Sequence, residues 1–185
     1  MAESGFNNYT AVWIKEHIGL VRRGHGEKLY EEWEKAMSRE SYNHRLTRFL
    51  QSCLSLDDIF RLFKNTIPEH SFFGLNTFSY VVPEHIDTVN PKAFGNSPHL
   101  KQVMFRGDLY HIDECAFGNC PSLVAIYIGR PSWLIIEASS VEESPLSIFV
   151  FDGKKSELDD RVSVSRRYSN DPKVKIKCTD GIVEL

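Results

Sequence analysis

The sequence has little cysteine, no excess of charge of either sign and no long apolar run, and each shortage removes a class of protein. Four cysteines, Cys53, Cys115, Cys120 and Cys178, in 185 residues are too few and too irregularly spaced for a disulfide framework, so reduced thiols are expected. The formal net charge of -3 is too small to steer the chain onto nucleic acid or an acidic membrane. Divided at His70, Lys and Arg number ten against ten Asp and Glu before it, and twelve against fifteen after it. Neither half is therefore a charged arm. No apolar stretch approaches membrane-spanning length, and the opening MAESGFNNYT lacks the basic and apolar segments of a secretory signal. A soluble, cytoplasmic protein with no membrane partner is expected.

Catalytic signatures are missing too. There is no Gly-x-Ser-x-Gly elbow and no His-Glu-x-x-His. The seven histidines are scattered, and the acids beside them in sequence point away on a strand or helix, so adjacency makes no dyad. His111, Cys115 and Cys120 lie close together, but no second pair follows at the spacing of a zinc site. Cys120 instead falls where Ser97 stands one repeat earlier, and Cys115 where Lys92 stands. RRGHGEK, from Arg22 to Lys28, lacks the Walker spacing and a preceding strand and is read as an inter-helix turn. Arg45, Arg48, Arg61 and Lys64 sit in a neutral segment, a mixed-charge surface and not a nucleic-acid face. SRRYS at Ser165 is a short basic patch of a kind that arises by chance. The sequence thus predicts no enzyme, no metal and no cofactor.

What is present divides in two. From Tyr9 to about Asn65 apolar residues recur at helical spacing, among them Val12, Trp13, Leu20, Leu29, Trp33, Leu46, Phe49 and Leu50. The last helical stretch, SLDDIFRLFKNTIP, has Ser55 placed as its cap with Asp58 three residues on and Pro68 beyond its end. After Pro68 the helical period disappears and a repeat begins. At steps of twenty-three, Tyr80, Val103, Ile126 and Phe149 fall in register, as do Val82, Phe105, Ile128 and Phe151, and Leu100, Leu123 and Leu146. Val89, Ile112 and Ile135 extend the agreement, and Ala93-Phe94 matches Ala116-Phe117. The third unit departs, with Ser139-Ser140 at that place.

A constant period of this kind predicts stacked units, each giving one short strand and a return segment whose Leu and Ala-Phe fill a shared interior. Gly-Asn after each Ala-Phe supplies a turn. The pattern AFGNCPSLVAIYI, preceded by Ile112, resembles the leucine-rich repeats of the BspA type over roughly Phe72 to Phe151. The ending KIKCTDG, Lys175 to Gly181, is similar to the closing strand and turn after such arrays in bacterial and phage-encoded proteins. The resemblance implies ligand or protein binding without a named activity.

The expected fold is α+β: a helical N-terminal domain over 1–68, then a solenoid over 69–185. That solenoid has one parallel sheet, about three and a half units and a capping strand near Lys173 to Cys178. Residues between the inward pairs point outward, one period apart: Val81, Met104, Tyr127 and Val150, flanked by Ser79, Gln102, Ala125 and Ile148. With Arg106, the residues Val81, Gln102, Met104, Tyr127, Ile148 and Val150 are the expected partner-binding set. A second protein is the expected partner, the chain acting as an inhibitor or adaptor. The alternative is an assembly component, for example phage-encoded, that forms a homo-oligomer through the same surface.

Overall fold

The computed structural model describes residues 55–144, 148–158, 160–166 and 174–185. The helices expected before Ser55 lie outside them. The described chain opens on α1 (Leu56–Leu62), where the Ser55 hydroxyl accepts from the Asp58 backbone N–H at 3.2 Å, the expected N-cap. α1 is no separate domain: Ile59, Phe60 and Phe63 are buried in the same apolar cluster as the repeats. Phe60 stacks on Phe72 and on Tyr80, with ring centres 4.8 and 4.9 Å apart, and so closes the open end of the first coil. The Tyr80 hydroxyl donates to Asp57 Oδ1 at 2.7 Å. Burial, then that bond, raises the phenol well above its ordinary pKa.

Beyond α1 the chain winds as a solenoid with two sheets. In the first, β2 (Ser79–Val82), β4 (Gln102–Phe105), β6 (Ala125–Ile128), β8 (Ile148–Phe151) and β10 (Lys175–Cys178) run parallel, and β11 (Gly181–Glu184) folds back antiparallel on β10. In the second, β1 (Thr66–Ile67), β3 (Thr88–Val89), β5 (Asp108–Ile112), β7 (Arg130–Glu137) and β9 (Val162–Ser165) are all parallel. A single sheet with irregular return segments is therefore corrected. The return segments pair with one another because each carries one or two inward apolar residues and otherwise unpaired backbone groups, which a second ladder satisfies. The last coil is closed by the β10–β11 hairpin, so the expected capping strand has an antiparallel partner.

Registers agree with the period along the first sheet. Tyr80 pairs with Val103, Val103 with Ile126, Ile126 with Phe149, and Phe149 with Ile176. Val103, Ile126 and Ile176 are wholly buried. On the second sheet the constant step fails. Leu109 faces Pro131, but after an irregularity His111 faces Ile135 and Ile112 faces Ile136. Ile136, buried, therefore takes the inward place assigned to Ile135, whose side chain is 44% exposed. The same slip moves the Ala-Phe place. The Phe72, Phe94 and Phe117 backbone N–H groups donate to the carbonyls of Ala93, Ala116 and Ser140 respectively. Ser140-Val141, and not Ser139-Ser140, thus stands where the other coils have Ala-Phe.

The corners repeat as faithfully as the strands. Lys92 and Cys115, with His70 before them, adopt left-handed backbone (φ 55, 49 and 58°), as do Asn96, Asn119 and Glu143 (φ 54, 53 and 58°). In the Gly-Asn pairs it is the Asn that makes the turn, since its short side chain tolerates positive φ. Behind each corner a small polar group bonds back to the coil before. Ser97 Oγ donates to Phe72 O at 3.4 Å, Cys120 Sγ to Phe94 O at 3.2 Å and Ser144 Oγ to Phe117 O at 2.7 Å. Cys120 is therefore a structural thiol in the Ser97 column, as its position in the repeat predicts.

Candidate functional site

Alternation along each strand of the first sheet turns one row of side chains outward. Val81 pairs with Met104, Met104 with Tyr127, Tyr127 with Val150, Val150 with Lys177 and Lys177 with Ile182. Val81, Met104 and Ile182 are 40, 38 and 48% exposed, while Tyr127 and Val150 are half-buried. The expected outward column is therefore continuous, and two further strands lengthen it. The flanking residues divide: Ser79 and Gln102 are exposed, Ala125 is buried, and the side chain of Ile148 lies outside the described residues. Phe78 and Val124, 65 and 63% exposed, add apolar surface beside this row; they precede the strands and escape a reading confined to alternation.

At the carboxyl ends of the strands the face deepens into a groove of about 660 Å³, lined by Met104, Tyr127 and Val150 and by Arg106, Arg130 and Lys177. The corner explains the placing of Arg130. Two residues, Arg106 and Gly107, separate β4 from β5, but Gly129 alone separates β6 from β7. A Cβ on Gly129 would lie 2.4 Å from the Phe105 carbonyl oxygen; only glycine permits the short turn. All three cations are exposed, and among the described residues none has an ion-pair partner. Asp152 is the one carboxylate in the lining. A locally cationic, apolar groove thus sits on a chain of net charge -3.

The other candidate positions are not brought together there. Arg61 pairs with Asp58 at 3.0 Å on α1, and Arg166 donates to the Leu185 carbonyl oxygen at 3.3 Å. Arg22 to Lys28, Arg45, Arg48 and Cys53 lie outside the described residues. Cys115, Cys120 and Cys178 are free thiols. Burial, followed by its bond to Glu142, lifts the Cys115 thiol to about 11. Cys115 should therefore alkylate with iodoacetamide at pH 8 about a hundredfold more slowly than free cysteine, because so little thiolate is present. Glu142→Gln should speed it. Peptide-resolved mass spectrometry checks this, and alkylation at the rate of free cysteine would contradict it.

Coils that each lay one strand in either of two parallel sheets, around one interior of Leu, Phe and Ala, define a short leucine-rich-repeat solenoid. The chain belongs to the BspA type leucine-rich repeat family, whose model matches residues 48–162 in six copies. No curated protein and no solved structure matches it. Membership of that family suggests a protein-interaction module.

Proposed function

We propose that the outer face of the six-stranded sheet is a protein-binding surface, and that its partner presents an apolar segment flanked by acidic residues. The observation that carries this is the unbroken outward row Val81, Met104, Tyr127 and Val150 beside three cations that have no ion-pair partner among the described residues. Tyr supplies contact area at small entropic cost, Met supplies adaptable apolar contact, and the cations supply orientation and on-rate. The chain acts by occupancy, as an inhibitor or adaptor, without chemistry of its own. The groove side chains Arg106, Arg130 and Lys177 set which partner is accepted, because they differ from coil to coil while the outward row stays mainly apolar.

Selection of displayed peptides on the full chain tests this. Acidic residues flanking an apolar core should be enriched, and Met104→Asp with Tyr127→Asp should weaken their binding at least a hundredfold, an interface hot spot being worth about 2 kcal/mol or more. Retained binding in that variant, with unchanged circular dichroism, would refute the assignment of the face. An assembly role would instead appear as a stable oligomer in sedimentation that the same two substitutions disperse.

A further inference from the structure

The second sheet holds a cluster that neither the repeat nor the proposed interface uses. We propose that His111, Asp113 and Glu137 form a binding site for a divalent transition-metal ion, zinc being the natural occupant. One donor atom from each of the three lies within 4.8 Å of the others. His111 Nε2 and Glu137 Oε1 are 3.7 Å apart, close to the roughly 3.4 Å that separates two donors held about 2.1 Å from one tetrahedral ion.

The irregularity in the second sheet creates this juxtaposition. His111 and Asp113 are two residues apart and so share a side of β5 and its extension. Before the irregularity, Leu109 faces Pro131; after it, His111 faces Ile135. That two-residue advance brings Glu137, and not Ile135, level with Asp113. One coil earlier the pairing sets Thr88 against His111, and Asn90 stands two residues beyond it; neither is a carboxylate or an imidazole. The donor set is specific to this coil.

A second observation points to a cation. Glu137 is only 3% exposed although it lies on the outward side of its strand, and its Oε2 is buried with no hydrogen-bond partner among the described residues. A buried carboxylate without a donor is costly unless a cation or a proton accompanies it. Asp113 is held from one side, Oδ1 accepting from the Glu114 backbone N–H at 2.8 Å. His111 and Asp113 are half-buried, so an ion reaches the site from solvent and water completes its coordination. One imidazole with two carboxylates and no thiolate suits zinc, cobalt or manganese, and disfavours calcium and magnesium, which take oxygen alone.

Calorimetric titration of the chelator-treated full chain with zinc sulfate should show one ion per chain. Cobalt should give a visible spectrum without a thiolate charge-transfer band, which separates this site from the cysteines. Glu137→Gln and His111→Ala should each weaken binding by about a hundredfold or more, and Cys115→Ser should leave it unchanged. If Glu137→Gln does not fold, the half-buried Asp113→Asn and His111→Gln carry the same expectation. No stoichiometric binding, binding that survives these substitutions, or a thiolate band would overturn the proposal.

Discussion

Replacing Phe94 by alanine should lower the free energy of unfolding by about 3–5 kcal/mol, the usual cost of truncating a fully buried aromatic ring. Phe94 has no exposed surface. Its ring stacks between those of Phe72 and Phe117, at 5.4 and 5.0 Å, with interplanar angles of 19 and 4°. Three successive coils each contribute one such ring, and Phe94 is the middle member; removing it opens a cavity that neither neighbour can fill, because both are held by their own backbone hydrogen bonds. Phe94 N–H donates to Ala116 O and Phe72 N–H to Ala93 O, each at 2.8 Å. A typical domain has about 5–15 kcal/mol in all, so this one substitution removes a large share. Phe78→Ala, at a 65% exposed ring, should change stability by about 0.5 kcal/mol or less. Urea unfolding at constant m-value checks both; equal midpoints for the two variants would mean that the rings do not share one interior.

Gly107→Ala should be nearly as damaging, at about 3 kcal/mol, the upper end of the range for overpacking. A Cβ there would lie 2.1 Å from the Glu84 carbonyl oxygen and 2.8 Å from its carbon. Both atoms belong to the backbone of the previous coil, so no rotamer change relieves the clash and the two coils must move apart. At Gly74 the cause is different: the nearest atom to a Cβ is 3.9 Å away, but φ is +70°. Gly74→Ala should therefore cost about 1 kcal/mol, the penalty of left-handed backbone for a residue with a Cβ. Thermal unfolding of the two variants separates the causes, and a Gly107→Ala variant as stable as the parent would contradict the close stacking at that corner.

The sequence makes the first sheet legible because its strands keep one step. Val103, Ile126 and Phe149 are forced inward by alternation, and an insertion anywhere between them would show as a broken column. The second sheet is silent for the opposite reason. β1 and β3 are two residues long, too short to alternate visibly. The column Thr88, His111 and Ile135 mixes polar and apolar side chains on an exposed side. The irregularity between β5 and β7 adds residues that a constant step cannot absorb, which is why Ile135 was expected at the place of Ile136 and Ser139-Ser140 at the place of Ser140-Val141.

The candidate site divides in the same way. Met104, Tyr127 and Val150 follow from alternation alone. Arg130 does not, because the Gly129 corner is one residue shorter than its predecessor, and Lys177 does not, because it follows a stretch outside the period. The metal-binding cluster is legible only in space: Glu137 lies far along the chain from His111, and no spacing rule joins them. His111, Cys115 and Cys120 are neighbours in sequence, but Cys120 stands in the Ser97 column, as the repeat predicts, and the fold turns His111 toward carboxylates.

The outer face of the second sheet is the sharpest rival to the groove, since Tyr110, Trp133 and Ile135 are 43, 70 and 44% exposed there. Amide chemical-shift mapping of the isotope-labelled chain, titrated with a peptide selected by display, decides between the two faces. The account predicts that the largest shifts fall on Met104, Arg106, Tyr127, Arg130 and Val150, with Tyr110, Trp133 and Ile135 unmoved. Shifts centred on Trp133, with the groove residues silent, would contradict it.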